Sequence, residues 1–136
     1  MQSVTFPAKF EYLDEIRLFV AEVARQAGFS EKEIYSIQLA ADEAASNVIE
    51  HAYEGITDGV LEFSCGMQGN ALVITIHDYG KPFNPSKVKK PNLKADLSKR
   101  QIGGLGVYLM RKLMDKVRYE SKPGAGNLLT MIKRRR

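Results

Sequence analysis

The segment that decides the fold runs from Asp42 to Tyr53 and reads Asp-Glu-Ala-Ala-Ser-Asn-Val-Ile-Glu-His-Ala-Tyr. Glu43 and Asn47 are four residues apart, so a helix stacks a carboxylate and an amide on one face. A carboxylate can accept a proton, and an amide oxygen suits a hard cation such as magnesium. On spacing alone, a solvated helix face is the more ordinary interpretation. The opposite face is apolar and suits a core: Ala41, Ala44, Ala45, Val48, Ile49 and Ala52.

Two helices are predicted: one precedes this segment, and the second contains it. A short strand at Val4–Pro7 comes first, and apolar residues then recur at helical spacing from Leu13 to Ala27, where Gly28 stops the helix. Ser30 and Glu33 form a capping box, so the second helix begins near Glu31. It carries Glu43 and Asn47 and ends before Gly55.

The rest of the chain predicts two hairpins separated by a loop and a helix. The run Lys81 to Gln101 holds three prolines and little periodicity, which indicates a functional loop, interpreted as a lid over a ligand. The helix opens at Gly103. The four predicted strands are Val60–Met67, Ala71–Asp78, Lys116–Ser121 and Leu128–Lys133.

Two further segments change the interpretation of the first. Residues 76–85 read Ile-His-Asp-Tyr-Gly-Lys-Pro-Phe-Asn-Pro, and residues 102–110 read Ile-Gly-Gly-Leu-Gly-Val-Tyr-Leu-Met. Glycines before a helix let backbone N–H groups approach phosphate oxygens, although a simple tight turn would use them equally. The Walker A and Rossmann glycine patterns are both absent, which argues against a P-loop enzyme or a dinucleotide binder.

Together the three segments resemble the N, G1 and G2 boxes of the GHKL ATP-binding superfamily, and within it the anti-sigma-factor serine kinases. The resemblance extends from about Phe6 to Lys133. It implies an α+β fold of Bergerat type, a two-layer sandwich in which helices cover one face of a mixed, mainly antiparallel sheet. It also implies a single ATP-binding kinase domain over residues 1–136, with the ATP lid at about 81–102.

The resemblance assigns roles to particular residues. Glu43 is expected to be the general base and Asn47 the magnesium ligand. Asp78 is expected to accept the adenine amine and so favour ATP over GTP, with Gly80 giving the base access to the backbone; an ordinary turn would also explain this pair. The other expected ATP contacts are Gly104, Leu105, Gly106 and Val107 at the phosphates, and Asn127 and Thr130 near the adenine.

The chain departs from the family pattern at two positions. Some members carry an arginine just before the second glycine box, where this chain has Ile102, and Arg100 or Lys99 is the candidate substitute. The third box is usually Gly-Thr, and here it is Gly126-Asn127. These departures bear on the rate of phosphotransfer more than on nucleotide binding.

Composition narrows the class of protein. A chain of 136 residues with net charge +4 predicts one globular domain. The single cysteine, Cys65, excludes an internal disulfide and fits a reducing cytosol, so we expect a cytoplasmic protein. No apolar run approaches the roughly 20 residues of a membrane span. The basic end at 133–136 is interpreted as a solvated tail, and the charge of the basic loop at 87–100 as basic residues near a phosphate site. Nucleic-acid binding is disfavoured, because no stacking aromatics are interleaved with these charges.

The predicted function is an ATP-dependent serine/threonine protein kinase and anti-sigma regulatory factor, acting in transcription regulation. Its expected partners are a STAS-domain antagonist, which it phosphorylates, and a sigma factor, which it sequesters; relatives dimerise through the first strand and helix, which implies a homodimer. One alternative is a nucleotide-gated protein-binding module with little or no kinase activity. Another is a histidine-kinase catalytic domain, which we disfavour because no acceptor-helix region is expected ahead of this domain.

Overall fold

The computed structural model describes residues 1–82 and 109–136. Two helices and five strands form its framework, and residues 109–113 are also helical. The elements are β1 (Gln2–Pro7), α1 (Leu13–Gln26), α2 (Glu31–Asn47), β2 (Val60–Gln68), β3 (Ala71–Asp78), β4 (Lys116–Lys122) and β5 (Gly126–Arg134). A 3-10 turn at Phe10–Tyr12 leads into α1, and a π-helical segment, Val48–Ala52, continues α2.

The five strands form one sheet in the order β1-β2-β3-β5-β4, and every pairing between them is antiparallel. The predicted strands are therefore confirmed, whereas the sheet has no parallel pair among the described strands. Inward side chains alternate with outward ones along each strand. On β3 the inward residues are Leu72, Ile74, Ile76 and Asp78, all buried.

Helices α1 and α2 cover the inward face of the sheet. Ile16 and Ile37 are fully buried, and they belong to the same core as Ile74 and Met131 from the sheet. Phe6, Phe19 and Phe63 meet edge to face at the β1 side, with ring centroids 5.8 to 6.5 Å apart. The expected two-layer α+β arrangement, with helices on one face, is confirmed.

The start of α2 is fixed by its capping box. Glu33 donates its backbone N–H to Ser30 Oγ (3.2 Å), and Ser30 donates its backbone N–H to Glu33 Oε1 (3.0 Å). Gly28, with φ of 92°, ends the preceding helix as predicted. The register of α2 is thereby set, and with it the inward positions of the residues at its far end.

Arg134, Arg135 and Arg136 are exposed, as expected for a solvated tail, and the basic C-terminus also bonds to neighbouring elements. Lys133 Nζ donates to the Leu113 carbonyl (2.8 Å), and Arg135 donates to the Ala27 carbonyl at the end of α1 (2.7 Å). Arg136 pairs with Asp115 (2.6 Å), which also accepts the Arg134 backbone N–H (2.7 Å). These cations satisfy carbonyls at helix ends and one carboxylate, which explains their concentration there.

Candidate functional site

The candidate site lies between the end of α2 and the ends of β3 and β5. Among the described residues a small, partly enclosed apolar pocket lies there, with room for about one water molecule, and Asn47, Asp78 and Tyr119 are its lining residues with polar side chains. Its lining residues are Ala44, Asn47, Val48, Ala52, Asp78, Met110, Tyr119 and Leu129. Pockets with an apolar wall and a few placed polar groups are the usual form of small-ligand sites.

Asn47 is buried at 6% exposure, and none of the described residues offers an acceptor to its Nδ2. The ordinary interpretation of Glu43 and Asn47 as a solvated helix face is therefore wrong for Asn47, because its side chain is buried and lines the pocket. Buried amide groups are normally hydrogen-bonded, to protein or to something bound. The unused capacity of Asn47, directed into a pocket, therefore points to a ligand.

Glu43, one helical turn before Asn47, is only partly buried. Burial raises the pKa of its carboxyl above the ordinary value, and the negative charges of Asp42 and Glu50 raise it further. A carboxylate with a raised pKa is a better proton acceptor at neutral pH. Helical spacing therefore sets a candidate base one turn before the Asn47 amide that lines the pocket.

The α2 helix changes its winding just beyond Asn47. From Val48 to Ala52 it is a π-helix, with Tyr53 N–H bonded to the Val48 carbonyl (3.2 Å). Such segments are rare and are frequently found at functional sites. His51 lies in this segment, with its Nε2 3.9 Å from Glu50 Oε2. Glu50 is also one of the two carboxylates whose charge raises the pKa of Glu43.

Asp78 is the buried carboxylate of the pocket, at 3% exposure. Its Oδ1 accepts hydrogen bonds from Asn127 Nδ2 (2.8 Å) and from the Gly80 backbone N–H (2.9 Å). Burial raises the pKa of Asp78, and these two bonds and the nearby His77 only partly oppose it. The sequence placed Asp78 at the end of its strand, and β3 does end there.

Gly80 packs tightly against the end of the π-helical segment. A Cβ atom at Gly80 would lie 2.2 Å from the Ala52 carbonyl oxygen, which also accepts the Lys81 N–H (2.8 Å). Tyr53 strengthens the junction, because its hydroxyl donates to the Val60 carbonyl and accepts the Tyr79 N–H, both at 2.8 Å. Gly80 was expected for access to a base; the structure gives it a second reason, close contact with Ala52.

Of the two expected residues on β5, the structure brings only one to the site. Asn127 is buried, faces inward and bonds to Asp78. Thr130 lies three residues further along the strand, pairs with Thr75, and is therefore on the opposite face of the sheet. The expected adenine contact of Thr130 is accordingly not supported, because its side chain faces away from Asp78.

The remaining expected contacts lie outside the described residues. They are Gly104, Leu105, Gly106 and Val107, together with Ile102 and most of the expected lid, and their roles stay predictions. In the part of the chain that the structure does describe, no three His, Cys, Asp or Glu side chains cluster closely enough to hold a metal ion. No helix within that part could span a membrane.

Sequence reasoning missed Ser121, whose Oγ donates to Asn127 Oδ1 (2.7 Å). It also missed Tyr119 and Leu129, which line the pocket wall. Ser121 pairs directly with Asn127 across β4 and β5, so strand register would have been the signal for it.

The chain belongs to the histidine kinase-like ATPase domain family, whose model matches residues 6–133. The expected ATP-binding superfamily is thereby confirmed.

Within that family, curated relatives are serine-protein kinases, as the sequence motifs indicated. The chain is 34% identical over 134 residues to the serine-protein kinase RsbW of Halalkalibacterium halodurans, covering 96% of this chain and 80% of the relative. It is 30% identical over 132 residues to RsbW of Listeria monocytogenes strain EGD-e, covering 94% of this chain and 84% of the relative.

Solved structures share the fold. The RsbU and RsbW domains of Rv1364c from Mycobacterium tuberculosis superpose with a TM-score of 0.64 at 16% identity, over 99% of this chain and 33% of that one. The catalytic domain of histidine kinase ThkA superposes with a TM-score of 0.56 at 17% identity, over 99% of this chain and 98% of that one. At these identities the likeness concerns the fold, and it agrees with the expected Bergerat type.

Proposed function

We propose that this chain is an ATP-dependent serine/threonine protein kinase and anti-sigma regulatory factor. In this proposal it phosphorylates a STAS-domain antagonist on a serine and sequesters a sigma factor, and it acts in the cytoplasm. The observation that carries the proposal is the buried Asp78 carboxylate in an apolar pocket beside the unsatisfied amide of Asn47. The similarity to serine-protein kinases over nearly the whole chain supports the choice of reaction.

Adenine suits the Asp78 end of the pocket. The base presents an amino donor at its 6-position, whereas guanine presents a carbonyl acceptor there. The hydrogen bonds that described residues make to Asp78 both fall on Oδ1, so Oδ2 is the oxygen that would accept the amine. The apolar side chains of Val48, Met110 and Leu129 would cover the faces of the base.

Asn47 fits the role of magnesium ligand through its side-chain oxygen. Magnesium in phosphate sites keeps several waters and is held by few protein groups, usually carboxylates, together with phosphate oxygens. The Asn47 side-chain oxygen would be one such protein oxygen, with phosphate oxygens and water completing the shell. When bound, the ion would neutralise phosphate charge during transfer.

In this proposal, Glu43 takes the proton from the attacking serine hydroxyl. The hydroxyl oxygen attacks the γ-phosphorus, the bond to the β-phosphate oxygen breaks, and ADP leaves, while the proton passes to the Glu43 carboxylate. The raised pKa of Glu43 suits this step. Since Asp42 and Glu50 help to raise that pKa, they tune the base without contacting substrate.

Partner switching follows from linkage between sites. A nucleotide that binds more tightly to one complex than to another favours that complex by the same factor. The same proposal includes a single domain over residues 1–136, a homodimer formed through β1 and α1, and an ATP lid at about 81–102.

The direct test incubates the protein with γ-labelled ATP, magnesium and a STAS-domain protein, and locates phosphoserine by mass spectrometry. Glu43→Gln should lower the transfer rate by roughly 10²- to 10⁴-fold while ATP still binds. Glu50→Gln is the matched control: it should keep transfer but move the acid limb of the pH–rate profile to lower pH, because one charge that raises the pKa of Glu43 is removed.

Transfer by the Glu43→Gln variant at the wild-type rate would exclude Glu43 as the base. ATP binding by the wild type without any phosphoserine would favour the alternative, a nucleotide-gated binding module. Ile102, which stands where some relatives carry an arginine, is the sequence feature that favours that alternative.

A further inference from the structure

Asn127 occupies a position from which it cannot easily serve as a donor to a nucleotide. Its Nδ2 lies within hydrogen-bond distance of three protein acceptors: Asp78 Oδ1 (2.8 Å), the Gly80 carbonyl oxygen (3.0 Å) and the Lys81 carbonyl oxygen (3.5 Å). An amide group has only two N–H donors. Both are therefore used inside the protein, on partners that themselves border the pocket.

The orientation of the Asn127 amide is set by the two acceptors and held by Ser121. A flipped amide would set its oxygen against the Asp78 carboxylate and the Gly80 carbonyl, which only accept. In the orientation that avoids this, Ser121 Oγ donates to Asn127 Oδ1 (2.7 Å) and restrains the amide from the other side.

We propose that Asn127 is a positioning residue for base recognition. Restrained by Ser121, it holds Oδ1 of Asp78. Oδ2 of Asp78 is then left to select the 6-amino group of adenine. The inference rests on the proposed ATP site and deepens it, because it assigns base selectivity to the chain Ser121–Asn127–Asp78. Asn127 acts through Asp78 and does not itself contact the base.

The conformation around Gly126 supports this arrangement. Gly126 has φ of 86°, and a Cβ there would lie 2.4 Å from the Asp78 carbonyl oxygen. The backbone of β5 therefore approaches Asp78 more closely than a side chain at 126 would permit. This close approach brings the short Asn127 side chain within reach of both Asp78 and Gly80.

The test compares affinities for ATP and for inosine triphosphate, which carries a carbonyl in place of the 6-amino group. Wild type should prefer ATP. Asn127→Leu, similar in size but without donors, should weaken ATP binding by roughly tenfold or more, the effect expected for losing a hydrogen bond to a charged group. It should weaken binding of inosine triphosphate much less, so the ratio of the two affinities should fall; Ser121→Ala should lower the ratio by a smaller factor.

Thr75→Val is the matched control. Thr75 shares a side-chain hydrogen bond with Ser64 (2.5 Å) on the opposite face of the same sheet. Its loss should leave the ratio unchanged. A purely structural role of Asn127 would lower both affinities equally in Asn127→Leu, and an unchanged ratio would overturn the proposal.

A nucleotide-free measurement separates this inference from the proposed function. In the unliganded protein, the side-chain amide protons of Asn127 should exchange slowly with solvent and should exchange faster in Ser121→Ala. Exchange at the rate of an exposed amide in wild type would overturn the positioning role. If the Asn127 amide is protected but the protein does not bind ATP, the ATP site is wrong, and so is the base selectivity that rests on it. The hydrogen bonds joining Ser121, Asn127 and Asp78 would still be correct.

Discussion

Replacing Gly80 by alanine tests whether this residue is required for packing or for access to a ligand. The Gly80 backbone does not need a left-handed conformation, so the cost comes from the added methyl group alone. That methyl would lie 2.2 Å from the carbonyl oxygen of Ala52 and 2.6 Å from its carbonyl carbon. Both atoms are backbone, so neither can move aside by rotating a side chain.

The magnitude follows from two losses. Forcing a methyl group into a packed site costs about 1–3 kcal/mol, and displacing Lys81 from Ala52 removes a hydrogen bond worth about 1 kcal/mol. Gly80→Ala should therefore destabilise the protein by about 2–4 kcal/mol. For a domain of this size that corresponds to a fall in Tm of roughly 10 °C.

The assay is urea and thermal unfolding without nucleotide, monitored by circular dichroism. Gly69→Ala is the control: Gly69 has φ of 61° and open space around its Cβ position, so only backbone strain of about 1 kcal/mol is expected. If Gly80→Ala unfolds within about 0.5 kcal/mol of wild type and yet loses ATP, the packing argument is wrong. Gly80 would then be needed for access of the base, as the sequence suggested.

Three further outcomes are expected. Asp78→Asn should abolish ATP binding but stabilise the unliganded protein. Because burial raises the pKa of Asp78, the stability of the wild type falls as pH rises from the ordinary aspartate pKa through the raised one. Urea unfolding across about pH 4–8 should therefore show the variant gaining stability relative to wild type as pH rises. Ser30→Ala should cost about 1 kcal/mol in the same assay, with Ser36→Ala, an exposed serine inside α2, nearly neutral; equal effects would contradict the capping box. Cys65, buried and with its pKa raised to about 12, should resist alkylation in native protein at neutral pH and react only on unfolding; rapid labelling of the folded protein would contradict its placement in the core.

Features that depend on near neighbours in sequence were predictable. The capping box of Ser30 and Glu33 needs only a three-residue spacing, and it forms as expected. The end of β3 at Asp78 likewise follows from alternation and from the glycine that comes soon after it. Local signals of this kind fix the elements on which the site is built.

Features that depend on contacts between elements were not predictable in the same way. Residue spacing does not distinguish an α-helix from the π-helical turn at Val48–Ala52, because the segment is only five residues long. The burial of Asn47 depends on what closes over the end of α2, and the tight contact of Gly80 depends on Ala52, which is distant in sequence. The family pattern suggested Thr130, whereas strand alternation from Asn127 already excludes it.

The basic C-terminus shows the same limit in another way. Composition suggested solvated charges, and Arg134 to Arg136 are exposed. Lys133 and Arg135 also donate to carbonyls at helix ends, and Arg136 pairs with Asp115; no count of charges could reveal these partners.

Calorimetry of ATP binding, with and without magnesium, for wild type, Asn47→Ala and Glu43→Ala decides whether the pocket around Asp78 and Asn47 is a nucleotide site. Wild type should bind ATP more tightly with magnesium, Asn47→Ala should lose the magnesium-dependent part, and Glu43→Ala should still bind. If wild type does not bind ATP at millimolar concentration, the pocket is not a nucleotide site.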